Sequence, residues 1–177
     1  VTLVAPGNYT AQSFSYRSIP QIIIENEIMG VTRNSPEIKN MLFHKDTLKM
    51  YSVSRNFIRT NYVTYYKTYK QVAEEFDPDL FLCDFLSNYP CFDLAWELGK
   101  PAVGITSVLS RVVSNPLYRS DPVHSGCHVN MENESFYDRF VCATIAPLRQ
   151  FWLFMLIMYD VNVQRAKVGI DSHWDPR

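Results

Sequence analysis

Residues Asp79–Ser107 read DLFLCDFLSNYPCFDLAWELGKPAVGITS. Leu80–Cys83 is an apolar run of strand length, of the kind that parallel sheets bury on both faces. Pro90 suits the first turn of a helix. Beyond it Cys91, Leu94, Ala95 and Leu98 recur at i, i+3, i+4 and i+7, and Asp93 and Glu97 fall on the other side. Gly99 and Pro101 stop that helix. Ala102–Thr106 is a second apolar strand. Strand, helix and strand in close succession make a βαβ unit, so the two strands are expected to be parallel, with a right-handed crossover. Open parallel sheets bind ligands in the crevice at the carboxyl ends of their strands. Asp84 lies at one such end, and Thr106 and Ser107 lie at the next. On physics alone two readings of Asp84 stand: an acid facing a ligand, or the cap of a turn or of a helix N-terminus.

The chain has 177 residues, a length that suits one domain with a core of its own. Hydrophobic residues make up 47% and charged residues 20%, the balance of an ordinary soluble domain. The net charge of −1 argues against a generic binder of nucleic acid. Residues 33–70 are locally basic, with eight Lys/Arg against two acids and tyrosines interleaved. The rest of the chain cancels this charge, so the segment is read as a solvated helix face opposite an aromatic core stripe. The alternative is a nucleic-acid or membrane-surface face. Four cysteines with no CxxC pair do not make a disulfide framework. The segment HSGCH at His124–His128 gathers three metal-ligand types, but no second half accompanies it, so it is read as a polar loop and no metal is expected. GxSxG, GxGxxG and GxxxxGK[ST] are absent, and His44, His124, His128 and His173 belong to no nucleophile signature.

Around this unit the chain alternates between the two periods. Val1–Ala5, closed by Pro6-Gly7, and Gln21–Glu25 read as strands. Ser35-Pro36-Glu37 offers a cap, a first-turn proline and a first-turn acid, and a helical pattern follows over much of 36–76. Its clearest part puts Ile58, Tyr62, Tyr65, Tyr69, Val72 and Phe76 on one stripe, which Asp77-Pro78 ends. Residues 110–133 are loop-like. Helical spacing resumes from about Glu134. The uncharged run Phe151–Tyr159, FWLFMLIMY, falls well short of the ~20 residues a membrane span needs, so it is read as a buried helix or the wall of an apolar pocket. Asn162, Arg165 and Lys167, followed by Gly169, read as a polar helix end with its C-cap. Asn8-Tyr-Thr and Asn133-Glu-Ser match the glycosylation sequon. Both ends read as internal to a longer protein: Val1 opens directly on a strand, and HWDPR stops without a closing element.

The segment PDLFLCDFLSNYPCFDLAWELGKPAVGITS resembles the fourth-to-fifth strand region of the UDP-glycosyltransferases of GT-B fold, most of all the fungal members. VTLVAPGNYT is similar to the family's second strand, SFYDRF to the segment before the helices that close the N-terminal domain, and NVQRAKVGI to the end of one of those helices. The resemblance implies an α/β fold: a Rossmann-like parallel sheet with flanking helices, the N-terminal half of a GT-B fold with its first strand missing. On that reading residues 1–177 are a partial N-terminal, acceptor-binding domain, and the C-terminal donor-binding domain lies outside them. The implied activity is transfer of a hexose from a UDP-sugar to a hydroxyl of a lipophilic small molecule, with inversion. UDP-sugar is then a co-substrate and no cofactor is needed. Asp84 matches the family aspartate that orients a base histidine, here placed upstream of Val1. Without that histidine and the donor domain, the isolated chain is expected not to transfer sugar. Phe85, Thr106, Ser107 and Phe151 are the candidate acceptor-binding residues. The resemblance leaves the location at the endoplasmic reticulum membrane or the cytoplasm, with any membrane association made through segments beyond these residues. The alternative is a non-catalytic Rossmann-like domain that binds a small molecule, or an inactive remnant of such an enzyme.

Overall fold

A computed structural model describes residues 1–6, 17–24, 47–84, 88–105 and 135–174. The helix start at 35–37, the His124–His128 loop, the sequons at Asn8 and Asn133, and Phe85, Thr106 and Ser107 lie outside the described residues. The chain is mixed α/β. Strands β1 (Leu3–Pro6) and β2 (Gln21–Ile24) precede a long helix α1 (Thr47–Phe76). Strand β3 (Phe81–Asp84), helix α2 (Tyr89–Glu97) and strand β4 (Ala102–Ile105) follow. A short helix α3 (Phe136–Phe140) runs through a π-helical turn, Val141–Ile145, into α4 (Ala146–Val168). No described helix is long and apolar enough to cross a membrane.

The βαβ expectation is met in its central point: β3 and β4 are parallel, with Phe81 opposite Ala102 and Asp84 opposite Ile105. The expected single sheet is not. The described strands form two separate two-stranded parallel sheets, β1–β2 and β3–β4. A doubly wound sheet needs a central strand that pairs on both sides, and none of the described residues supplies one, so each ladder stops at two strands.

Burial of β3 on both faces is also corrected. Among the described residues, only α2 packs against this pair of strands. Cys83 is fully buried, whereas Leu82 is 54% exposed, and Val103 and Ile105 of β4 are exposed too.

The core lies where α1 meets α4 and α2. Ile58, Tyr62, Tyr66 and Ala73 of α1 recur every four to seven residues and pack with Leu94 of α2, Ile157 and Val161 of α4, and Ile170. That spacing is one face of a helix, so a single stripe on α1 supplies half of this buried cluster. Of the predicted stripe, Ile58, Tyr62 and Tyr65 are buried, Tyr69 and Val72 are half-buried, and Phe76 is exposed at the helix end. Phe151–Tyr159 divides in the same way: Ile157 and Met158 are buried, but Phe151, Trp152 and Tyr159 are exposed, so the run is an amphipathic segment and not a buried helix.

The helix ends follow local chemistry. Asp77, with φ of 40°, leaves α1 before Pro78, and Gly99 leaves α2 with φ of 63°. Gly169 closes α4 with φ of 82°, and Ile170 N donates to the Arg165 carbonyl at 3.0 Å, which ties the terminal turn down and turns Ile170 into the core.

Candidate functional site

Asp84 is the last residue of β3, exposed on the carboxyl edge of the β3–β4 pair, with Ile105 beside it in register. The position is the one the sequence anticipates. Phe151 sits on the exposed side of α4. Of the candidates Asp84, Phe85, Thr106, Ser107 and Phe151, only Asp84 and Phe151 are among the described residues.

What holds this edge in place was not anticipated. Cys83 and Cys91 are joined in a disulfide with Cα atoms 5.8 Å apart, eight residues apart in sequence. The bond ties the end of β3 to the first turn of α2 and closes the loop that begins with Asp84. Four cysteines make no framework, but one pair here is linked. The signal was the spacing itself: a cysteine at the end of a strand and another one turn into the following helix come together whenever the helix folds back on that strand.

Asn88 occupies the N-cap of α2. Its side chain makes no capping bond, and its Oδ1 is buried with no hydrogen-bond partner among the described residues. The Asn88 side chain faces the Tyr69 hydroxyl of α1. Burial pushes the Tyr69 hydroxyl up to about 12; the Asn88 bond acts against that shift, and the Asp84 charge adds to it. Asp84, Asn88 and Tyr69 therefore bring three polar groups from a strand end, a helix cap and a helix face to the same end of β3.

Behind this edge lies a buried ionic network that fixes α2. Asp93, read from the sequence as a solvent-facing residue, is buried, and Arg165, read as part of a polar helix end, is 0% exposed. Arg165 donates Nε to Asp93 Oδ2 at 2.8 Å and Nη2 to Oδ1 at 2.7 Å, a two-pronged pair. The Tyr62 hydroxyl donates to Asp93 Oδ2 at 2.5 Å. Burial, and then the Asp93 charge, hold the Tyr62 hydroxyl far above the usual tyrosine range.

The remaining Arg165 nitrogen, Nη1, donates to Asn162 Oδ1 at 3.0 Å and to the His173 carbonyl at 2.9 Å. His173 N donates to Asn162 Oδ1 at 3.2 Å, and the His173 ring lies 5.6 Å from the Trp96 ring. One arginine thus joins α4, α2 and the segment that follows Gly169. The sequence carried a faint signal. Arg165 stands on the Met158, Val161, Val168 stripe, and a charge on an apolar stripe demands a buried partner.

The basic face of α1 is solvated as expected, with Lys49, Arg59 and Lys67 exposed, but two of its arginines also pair with a buried acid. Arg55 Nε donates to Asp160 Oδ2 at 2.6 Å, and Arg59 donates Nε and Nη2 to Oδ1 at 3.0 and 2.9 Å. Desolvation alone would raise the Asp160 carboxyl, but the two arginines outweigh it and hold it below the usual range. Lower down, Tyr66 and Lys70 both donate to Glu97 and depress its carboxyl, the Tyr66 bond most. Among the described residues no group of three His, Cys, Asp or Glu is placed to hold a metal ion.

No family model, no curated protein and no solved structure matches this chain.

Proposed function

We propose that this chain is the acceptor-binding part of a UDP-dependent hexosyltransferase of Rossmann-like, GT-B type, with Asp84 as the residue that orients the base. The observation that carries the reading is the parallel β3–α2–β4 unit with an exposed carboxylate closing β3, the edge where open parallel sheets bind their ligands.

In this reading Asp84 accepts a hydrogen bond from a histidine outside the described residues. The carboxylate fixes the imidazole and stabilises its charged form as it takes the proton of the acceptor hydroxyl. The hydroxyl oxygen attacks the anomeric carbon, UDP departs, and configuration inverts. The disulfide ties the end of β3 to α2, and the Asp93–Arg165 pair ties α2 to α4, which supports a fixed position for the carboxylate.

The test is made on the longest reading frame that encodes residues 1–177. UDP release from UDP-glucose should depend on a lipophilic alcohol, and Asp84→Ala should lower kcat by about 100-fold or more, the usual contribution of positioned acid–base catalysis. Acceptor-dependent turnover that survives Asp84→Ala overturns the assignment of Asp84, and absence of any UDP release overturns the transferase reading.

A further inference from the structure

Phe136, Phe140, Ile145, Leu148, Trp152 and Tyr159 follow one another at steps of four, five, three, four and seven residues. All six are exposed, Phe136 at 85% and Trp152 at 66%. Steps of three, four and seven stay on one face of an α-helix. The step of five falls on the π-helical turn Val141–Ile145, whose hydrogen bonds close one residue later than those of an α-helix. The turn takes up the extra residue and brings Phe136 and Phe140, stacked at 6.4 Å, into line with α4. In an unbroken α-helix the two rings would stand roughly 100° off that line. The result is an uncharged, aromatic stripe roughly 40 Å long. The opposite side of α4, with Ile157, Met158, Val161 and Arg165, is buried in the core. Helix α4 is therefore apolar on two sides, and only one of them faces the core. Scattered exposed apolar residues are ordinary, but a contiguous patch of this length marks a contact surface.

Charge identifies what it contacts. Arg149, Asp160 and Lys167 lie at i, i+11 and i+18, one line along an edge of the stripe. Asp160 is buried and holds both Arg55 and Arg59 of α1. Two guanidinium groups on one carboxylate leave this point positive, and Arg59 is half exposed. Arg149 and Lys167 are exposed on the same line. The basic face of α1 thus borders the aromatic stripe of α4. A helix with aromatic residues on one face and cations beside them is built to lie in a lipid–water interface, where rings sit at headgroup level and cations meet anionic headgroups. No described helix can cross a bilayer, so the contact is one of lying on the surface. A second copy laid antiparallel on the stripe would set the basic edge against itself.

We propose that the stripe along α3 and α4 docks in the plane of an anionic lipid bilayer, with Arg149, Lys167 and the Arg55–Arg59 pair facing the headgroups. The proposal does not rest on the transferase reading. It places membrane contact within the described residues, where the sequence placed it beyond them.

The experiment is co-sedimentation of residues 1–177 with vesicles of phosphatidylcholine, alone or with about three parts in ten of phosphatidylserine, at low and high salt. The chain should bind the anionic vesicles, bind the neutral ones several-fold more weakly, and lose affinity as salt rises. Replacing Phe151 and Trp152 together by Ser should lower binding at least about tenfold, since each ring loses its apolar burial. Arg149→Gln should lower binding to anionic vesicles by about fivefold and leave neutral vesicles unchanged. Leu80→Ser, at an exposed apolar residue outside the stripe, should bind as the native chain does. Circular dichroism checks that each variant is folded. Should the double variant fail to fold, Trp152→Ser alone decides.

Absence of binding to anionic vesicles overturns the proposal, as does equal binding to neutral ones. Binding that survives loss of Phe151 and Trp152, or that Leu80→Ser lowers as much, overturns it too. Sedimentation velocity supplies the remaining outcome: a dimer abolished by the double variant, without vesicle binding, assigns the stripe to a second copy and overturns the lipid reading.

Discussion

Asp93→Ala removes the only carboxylate that faces the Arg165 Nε and Nη2 hydrogens among the described residues. The guanidinium is 0% exposed, so water cannot replace the lost partner without opening the contact between α4 and α2. The Tyr62 hydroxyl loses its acceptor in the same step. Breaking a buried pair from one side costs about 3–5 kcal/mol, because the remaining charge is left uncompensated. In a chain of this size each kcal/mol moves the melting midpoint by about 2–4 °C, so a fall of about 6–20 °C is expected.

Native stability itself is only about 5–15 kcal/mol, so a milder variant accompanies this one. Tyr62→Phe deletes a single hydrogen bond to a charged acceptor and should cost about 1.5–3 kcal/mol. The decisive assay is a double-mutant cycle by urea denaturation with Arg165→Met. Removing both charges leaves no orphan, so the double variant should be more stable than the sum of the singles by well over 1 kcal/mol. Additive singles, or an Asp93→Ala variant that loses less than about 1 kcal/mol, would refute the claim that this pair locks α2 to α4.

Two further outcomes follow from the same geometry. Reducing the Cys83–Cys91 bond frees a closed loop spanning eight residues of separation; chain-entropy arithmetic puts the loss at about 2.5 kcal/mol. Calorimetry with and without dithiothreitol should show a midpoint lower by about 5–10 °C, and superimposable melts would mean that the bond does not hold this edge. Tyr62, Tyr66, Tyr69 and Tyr89 all have hydroxyls raised above the ordinary tyrosine value, with burial the largest cause in each. A raised folded-state pKa contributes stability that is complete below the unfolded value of about 10 and is lost as pH rises through the folded values. Tyrosinate absorbance should therefore rise together with loss of circular dichroism above about pH 10; ionisation of all tyrosines with the helices intact would contradict the buried stripe.

The stretch Asp79–Ser107 gave up its local plan without help from the tertiary structure. Its strands, its helix and their parallel pairing are set by residues within a turn of one another: the apolar runs, Pro90 at the helix start, Gly99 and Pro101 at its end. Gly169 at the end of α4 and Asp77-Pro78 at the end of α1 are legible for the same reason, since φ preference and a missing N–H act on the spot. Asp84 at the carboxyl end of β3 follows from the pairing alone.

Other features depend on which surfaces meet. Asp93 and Glu97 share one side of α2 in sequence, yet Asp93 is buried and Glu97 is not, because Arg165 arrives from 72 residues away to meet the one and not the other. The helical period says which residues share a face; it does not say which face the rest of the protein will cover. Leu82 and Val103 show the converse, apolar residues left exposed because no described helix covers their side of the sheet. The disulfide and the orphan oxygen of Asn88 belong to the same class: both exist only once α2 folds back onto the end of β3. Local chemistry thus fixed the elements and the place of the acid, and tertiary packing decided which charges are buried, which apolar faces stay open and what surrounds Asp84.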